Sequence, residues 1–254
     1  MNENLSRRKL ITRGIAVAAG VSGLGVAARL ADKYGLIPPD GRGPYGPGTA
    51  LTYAADRLLT RHKLAREFPR NKISKTPFAN GKPPETDAFK RLQAGGFTDW
   101  RLKVDGLVAN PGSFSISDLR SLPLSSQITQ VICEEGWSYI AEWIGTPLSS
   151  VLLAAGMLPQ AKFVVYFSIE RAEWWDSLDL ADALHPQTLL AYGFNGGDLP
   201  VGFGGPLRMR VPRQLAYKSV KYINHLTVTN TLEPFGKGLG SASPEGGYSW
   251  HAGI

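Results

Sequence analysis

The amino-acid sequence predicts an α+β fold in which mixed, twisted β-sheets carry flanking helices. The run Ile128–Ile132 is mostly β-branched and is followed by a Gly-containing loop, which is typical of a strand and its exit. The longer apolar run Ala161–Ser168 is typical of a central strand. Short stretches with helix signals lie between such runs, including a cap-like Ser115 and the segment Leu148–Ala155.

Composition places the chain among ordinary globular proteins. It has 254 residues, of which 43% are apolar and 19% charged, enough for one large domain or two small ones. The formal net charge is +7, and residues 1–34 contribute +4 of it. Because the remainder is only mildly basic, a nucleic-acid partner is not expected.

The N-terminus has the pattern of a targeting segment. Ser6–Ile11 contains Arg7 and Arg8 and is followed by the uncharged run Gly14–Ala28. This arrangement resembles a twin-arginine export signal, so residues 1–34 are expected to be a signal segment and the protein to be periplasmic. The chain has a single cysteine, which excludes an internal disulfide framework. Contact with a membrane is expected only through export or through a redox partner.

The next residues predict an extension that precedes the main domain. Gly35–Gly48 is rich in glycine and proline and is predicted to be a linker, and Leu51–Phe68 has a weak helical pattern. Residues 35–72 are therefore assigned to a linker and N-terminal helical extension, and residues 73–254 to the catalytic domain. Phe78–Gly81 is predicted to be a tight turn containing Asn80.

Cys133 is the residue around which we interpret the rest of the chain. It lies where the predicted strand Ile128–Ile132 meets the loop Glu134–Gly136. A lone cysteine is commonly a buried, inert thiol. Loops held by a rigid scaffold, however, are where reactive groups are commonly found, so chemistry at this sulfur is the alternative.

The residues around Cys133 favour a metal site. The motifs Cys133–Ser138 and Trp143–Leu148 resemble the C-x-E-[GA]-W-S and W-x-G-x-P-L sequences of the sulfite-oxidase-type molybdenum-cofactor family. The resemblance runs from about Asn80 to the C-terminus and implies the sulfite-oxidase molybdopterin-binding fold with a Mo-molybdopterin cofactor. It implies that the Cys133 thiolate binds the molybdenum and that Glu135 supports it.

The resemblance also implies where the pterin is held. Gly204–Lys221 is rich in glycines and cations, a composition that can bind a phosphate, although an isolated basic cluster is commonly a solvated face. Phe203 replaces a His or Asn that relatives use to contact the pterin. The predicted cofactor-binding residues are Asn80, Cys133, Ser168, Arg208, Lys218, Ser219, Val220 and Lys221.

The resemblance further implies that Trp175, Asp176 and Tyr248 line the substrate side of the cleft. For Trp175 and Asp176 a surface helix with aromatic anchors is the alternative. The expected activity is oxygen-atom transfer on a small sulfur or nitrogen oxo substrate, either sulfoxide reduction or sulfite-type oxidation.

The expected partner is a separate haem or other electron-transfer protein, since the chain has no C-x-x-C-H motif. A monomer is expected, because the dimerisation domain of sulfite oxidases is missing. Two alternatives remain open at this point: a non-catalytic module on the same scaffold, and a thiol enzyme that uses Cys133 directly.

Overall fold

A computed structural model describes residues 29, 31, 35–43, 46–170 and 174–254. The predicted signal segment, residues 1–34, therefore lies almost entirely outside the described residues. Within the described part of the chain no helix has the length and apolar character needed to cross a bilayer.

Short helices and strands alternate along the chain, as the sequence predicts. The helices are α1 Gly46–Leu59, α2 Asp87–Ala94, α3 Ile116–Ser121, α4 Leu148–Ala154, α5 Leu180–Ala183 and α6 Ala242–Glu245. The strands are β1 Leu102–Gly106, β2 Gly112–Phe114, β3 Ser125–Ile132, β4 Ser138–Pro147, β5 Phe163–Ser168, β6 Trp175–Asp179, β7 Leu189–Phe194, β8 Gly197–Asp198, β9 Arg208–Arg210 and β10 Ile223–Thr229. Single 3-10 turns lie at Pro39–Arg42, Arg70–Lys72, Val201–Phe203 and Ala216–Lys218.

The strands of the described residues form two five-stranded sheets. The first has the order β2-β1-β10-β5-β6, and only its β1–β10 pair is parallel. The second has the order β3-β4-β7-β8, with β9 also pairing to β7. The main apolar core takes side chains from both sheets, among them Leu102, Tyr166 and Met209. The predicted α+β fold with mixed sheets is confirmed.

Local turn and cap signals are confirmed at two places. Asn195 and Gly196 have φ of 50° and 85° and connect β7 to β8, which is the backbone pattern that favours Asn-Gly in a two-residue hairpin. Ser115 caps α3, because its Oγ accepts a hydrogen bond from the Asp118 amide at 3.0 Å while Asp118 accepts one from the Ser115 amide at 2.8 Å.

Helix α1 differs from its prediction at both ends. It begins at Gly46, inside the predicted linker, and ends at Leu59 rather than at Phe68. The early start is possible because Pro47 lies in the first turn, where a missing N–H costs nothing. The early end has a tertiary cause, since the Phe68 amide donates to the Ile128 carbonyl at 2.9 Å and Glu67 bridges to Thr129. Pairing with β3 therefore overrides the weak helical pattern.

The segment around Trp175 is a strand, and the alternative of a surface helix is wrong. β6 pairs antiparallel with β5, and all five of its residues are buried. Short α5 follows it directly. Polar residues of β6 are buried beside Trp175 and Leu178, so the polar composition of this segment does not mark a surface.

A buried ion network attaches α1 to β6 and α5. The Arg57 guanidinium donates to Asp179 at 2.7 Å and to Asp182 at 2.6 Å. Arg213 also donates to Asp182, at 3.2 Å. Burial alone would raise the pKa of Asp182, but Arg57 and its neighbours hold that pKa below the ordinary value. The arginines and aspartates of this network therefore compensate each other's charges in the interior.

Gly145 sets the approach of β4 to β7. A Cβ at this position would lie 2.3 Å from the Leu190 carbonyl oxygen, where the pairing register shifts between Ile144 and Gly145. This contact gives a physical reason for the glycine in the Trp143–Leu148 motif.

We expect Gly145→Ala to lower the free energy of unfolding by about 1–3 kcal/mol, because the backbone of β7 must move to admit the methyl group. Urea denaturation measures this. Gly112→Ala is the matched control, since a Cβ at Gly112 would meet nothing within 4 Å. Equal stability of the two variants would contradict the close-approach explanation.

Candidate functional site

The loop between β3 and β4 holds Cys133 in a closed turn. The Cys133 amide donates to the Trp137 carbonyl at 2.9 Å, and the Gly136 amide donates to the Cys133 carbonyl at 3.1 Å. Gly136 has φ of 92°, a conformation that favours glycine. The hairpin therefore fixes the backbone of Cys133.

The Cys133 side chain is buried and adjoins two carboxylates. Its Sγ donates to Glu134 Oε2 at 3.3 Å and lies 3.8 Å from Glu135 Oε2. Burial raises the pKa of the thiol to about 11, and the negative charge of Glu134 acts in the same direction. An uncoordinated thiol is thus protonated at neutral pH.

Glu135, Asn80 and Lys221 come together beside this loop. Glu135 Oε2 accepts hydrogen bonds from Trp137 Nε1 at 2.7 Å and from Asn80 Nδ2 at 3.3 Å. The Lys221 ammonium donates to the carbonyl oxygens of Asn80 and Gly202. Three predicted site residues from distant parts of the sequence are therefore neighbours.

Gly204 makes room for Lys221. Its φ is 106°, and a Cβ at this position would lie 2.8 Å from Lys221 Cγ. The glycine thus allows the lysine stem to cross the backbone, in a conformation that other residues rarely adopt.

Arg208 lies in the interior next to Trp143. Its Nε donates to the Ser219 carbonyl at 2.9 Å and its Nη1 to the Phe203 carbonyl at 3.0 Å. Its Cζ lies 5.2 Å from the Trp143 ring centroid, a cation–π distance. Burial lowers its pKa, while nearby Tyr139 and Cys133 act in the opposite direction.

Arg210 lies on the same strand face and approaches the same indole, with Cζ 5.5 Å from the Trp143 centroid. Its Nη2 donates to the Gln130 carbonyl at 2.7 Å and to Thr129 Oγ1 at 3.1 Å, both on β3. Its Nε is buried without a hydrogen-bond partner. Arg210 therefore connects β9 to the strand that leads to Cys133.

Arg208, Arg210 and Lys221 share one electrostatic feature within the part of the chain that the structure describes. Among the described residues, no carboxylate lies within 4 Å of the charged nitrogens of Arg208, Arg210 or Lys221. Burial, together with the charge of Arg208, lowers the pKa of Arg210 to about 9 and that of Lys221 to about 8. An anion bound here would remove this penalty. The arrangement is complementary to a phosphate.

Lys218 and Asp176 are corrections to the predicted site. Lys218 is fully buried, and its ammonium forms an ion pair with Asp176 and donates to the Ser177 carbonyl at 2.8 Å. Asp176 is only 1% exposed, so it does not face a cleft. Since each charge satisfies the other, this pair holds the interior together rather than binding a cofactor or substrate.

Trp175 is also an interior residue. Its indole packs against Phe167 and Phe235, with ring centroids 6.3 and 6.1 Å away. The prediction that it lines the substrate side of the cleft does not fit this position, because its side chain belongs to an apolar cluster.

Three further predicted residues shape the backbone around the site. Ser168 Oγ accepts from the Glu170 amide at 3.1 Å, and Ser219 Oγ accepts from the Val211 amide at 3.1 Å. The Val220 carbonyl accepts from the Met209 amide at 3.0 Å. Their contact with a cofactor stays a prediction.

Tyr248 and Phe203 occupy different surroundings. Tyr248 is 48% exposed and its ring lies 5.4 Å from that of Tyr217. Burial raises the Tyr217 pKa, and the negative charges of Asp176 and Glu134 act in the same direction. Phe203 stacks on Phe194 at 4.5 Å. Phe203 therefore has an aromatic neighbour, and its replacement of a polar pterin contact stays a prediction.

Arg210 was not among the predicted site residues, and Trp143 entered only through the resemblance of its motif. Arg208 and Arg210 are two positions apart, and residues at i and i+2 of a strand share one face. This alternation was the signal that could have found Arg210. The position of Trp143 depends on pairing between β4 and β7, which leaves no local pattern.

Comparison with known proteins gives one family and several relatives. The model of the oxidoreductase molybdopterin-binding domain matches residues 90–234. A putative protein-methionine-sulfoxide reductase subunit YedZ1 of Azospira oryzae is 35% identical, over 77% of this chain and 70% of its own. The protein-methionine-sulfoxide reductase catalytic subunit MsrP of Xanthomonas campestris is 32% identical, over 71% of this chain and 60% of its own.

A solved structure supports the fold. The sulfane dehydrogenase SoxCD from Paracoccus pantotrophus superposes with a TM-score of 0.51 at 21% identity, covering 67% of this chain and 46% of that chain. The sulfite-oxidase-type fold that the sequence predicts is confirmed.

We expect Arg208→Ala and Lys221→Ala to lower molybdenum per protein by weakening cofactor affinity about 10–100-fold, since a charge-assisted contact to an anion is lost. Elemental analysis of protein from the native host measures this, with turnover expressed per bound molybdenum. Arg120→Ala is the control, because Arg120 forms an exposed pair with Asp198. Full occupancy in both site variants would contradict the phosphate-site assignment.

Proposed function

The chain belongs to the oxidoreductase molybdopterin-binding domain family, and we propose that within this family it reduces a sulfoxide with electrons from a separate redox protein. Membership makes the protein an oxidoreductase and implies a molybdenum cofactor. The two relatives described above are both named as parts of protein-methionine-sulfoxide reductases, which supports a sulfoxide as substrate.

One observation carries this proposal: the only cysteine lies on a fixed loop near Arg208, and among the described residues the buried Arg208 and Arg210 and the partly buried Lys221 have no carboxylate partner. A soft sulfur ligand suits a soft, redox-active metal, and coordination keeps the sulfur deprotonated despite the raised pKa of the free thiol. The uncompensated cations suit an anionic pterin phosphate. The residues present therefore fit the cofactor that the family implies.

We assign roles in the proposed site from these contacts. Cys133 would be the metal ligand, and Arg208 and Lys221 would hold the phosphate end. Asn80 lies between Glu135 and Lys221 and would close the cleft on that side. When bound, the cofactor supplies the oxygen-atom transfer chemistry. The protein supplies the fixed loop, the positive charge and access for the substrate.

The aromatic side chains beside the Cys133 loop favour a neutral sulfur substrate. Phe78 is 53% exposed and packs edge-on against Trp137, which stacks on Tyr139 at 6.0 Å. Aromatic rings contact thioether sulfur favourably. Glu134 and Glu135 lie beside the Cys133 sulfur and would repel an anion such as sulfite. Both features support sulfoxide reduction over sulfite oxidation.

We expect Cys133→Ser to keep the fold and to lose most of its turnover. Loss of a residue that only hydrogen-bonds a metal ligand lowers activity about 10–100-fold, and loss of the ligand itself should cost more. A hydroxyl is a hard, poor donor for this metal, while the change in volume is small. Sulfoxide reduction with an artificial electron donor measures turnover, and urea denaturation checks the fold. Near-normal turnover in Cys133→Ser would overturn the proposed role.

Alkylation separates this role from direct thiol chemistry. A metal-bound Cys133 resists alkylation in the holoenzyme and reacts after cofactor removal. A thiol enzyme would be alkylated and inactivated while it still holds molybdenum.

We also propose that the protein is exported, on the basis of Arg7, Arg8 and the uncharged run Gly14–Ala28. Arg7→Lys with Arg8→Lys is expected to leave the folded domain unchanged and to stop export, since the arginine pair acts as a receptor-read address. Fractionation of the native host measures periplasmic and cytoplasmic protein. Undiminished periplasmic protein in the double variant would contradict the assignment.

A further inference from the structure

Helix α1 turns its polar side inward and its leucines outward. Thr49, Tyr53 and Arg57 are buried. Leu51, Leu58 and Leu59 are 73%, 69% and 81% exposed. With exposed Ala55, the leucines at 51, 58 and 59 follow the spacing of a single helix face. This is the reverse of an ordinary surface helix, which buries its apolar stripe.

The ion network fixes this orientation. The Tyr53 hydroxyl donates to Asp179 at 2.6 Å, and Arg57 binds both Asp179 and Asp182. Rotating α1 to bury its leucines would leave these carboxylates unpaired in the interior, which is strongly unfavourable. The leucine stripe is therefore held facing outward.

The chain that follows α1 is strongly basic. Residues 61–75 contain six cations and one carboxylate, a net charge of +5. Together with the +4 of residues 1–34 this exceeds the total of +7, so the remaining residues carry a net charge of −2. Arg61, Lys63 and Arg66 are exposed, as is Leu64 at 59%. We call Leu51, Leu58, Leu59, Leu64 and these three cations the α1 surface.

We propose that the α1 surface binds the interface of a phospholipid bilayer that contains anionic headgroups. Exposed leucines enter the boundary between headgroups and acyl chains, and adjacent Lys and Arg side chains contact the headgroup phosphates. Exposed leucines alone or cations alone would not indicate an anionic bilayer, but their combination on one helix and the turn after it does.

Other occupants fit these observations less well. A nucleic acid would use the cations but leave the leucines in water. A second copy of the chain, packed about a two-fold axis, would bring two segments of +5 close together. The sequence predicts membrane contact only through export or a redox partner, and the α1 surface adds a direct contact that does not depend on the proposed activity.

Co-sedimentation of the full-length protein with vesicles tests the proposal. We expect binding to phosphatidylglycerol–phosphatidylcholine vesicles, weaker binding to pure phosphatidylcholine, and a loss of binding as salt is added. Leu58→Glu with Leu59→Glu should lower the partition coefficient at least about tenfold, because two apolar side chains no longer insert.

Matched controls separate this surface from general surface properties. Leu124→Glu with Leu153→Glu changes two leucines of similar exposure, 64% and 81%, elsewhere on the protein and should leave binding near that of the wild type. Arg61→Glu with Lys63→Glu should weaken binding, whereas Lys90→Glu with Arg91→Glu on exposed positions of α2 should weaken it less. Turnover of a soluble sulfoxide is expected to stay unchanged in the leucine variants.

Residues 1–34 are basic and apolar and are present in every variant, so vesicle binding by itself does not locate the contact. A second measurement does. Brominated lipids should quench a tryptophan introduced by Leu58→Trp more strongly than one introduced by Leu153→Trp. Equal quenching overturns the proposal, as does equal vesicle binding by the two glutamate pairs. Binding to an acidic protein without binding to anionic vesicles also overturns it.

Discussion

Trp143 contacts two buried guanidinium groups, and the proposed site depends on this arrangement. Arg208 and Arg210 approach the same indole within 5.5 Å, and no described carboxylate neutralises either. Carbonyl oxygens of Phe203, Ser219 and Gln130 accept their hydrogen bonds, and the ring provides a cation–π contact, so the charges are solvated without being cancelled. An anion meets a site whose cations are already desolvated and oriented, which strengthens the attraction.

The cations of Gly204–Lys221 fall into two groups: those that form ion pairs with buried carboxylates, and those that are available to a ligand. Lys218 is bound to Asp176, and Arg213 to Asp182, in positions buried from water. Removing one partner of such a pair would leave a buried charge without compensation. The spacing of cations in Gly204–Lys221 does not distinguish these from Arg208 and Lys221, because the partners of the structural cations lie in β6 and α5. The correction of Lys218 and Asp176 follows from this.

Sequence signals predicted what is decided locally. The Asn195-Gly196 hairpin, the Ser115 cap and the loop at Cys133 each depend on a few consecutive residues. The end of α1, the strand β6 and the position of the Trp143 indole beside Arg208 and Arg210 depend on pairing between distant segments, so no short pattern contains them. The site at Cys133 was predicted from the family resemblance. The outward orientation of the α1 leucines was not predicted, because it is fixed by the buried contacts of Arg57 and Tyr53 with Asp179.

The same packing that turns α1 outward also relates it to the cofactor segment. Trp250 packs edge-on against Tyr53 at 5.7 Å, its Nε1 donates to Ser177 Oγ at 2.8 Å, and its ring lies 5.1 Å from the Lys218 ammonium. Lys218 ends the 3-10 turn that leads directly to Lys221. The α1 surface and the proposed phosphate site thus share one set of buried contacts. A bilayer bound at α1 would therefore hold the Cys133 loop in one orientation relative to the membrane.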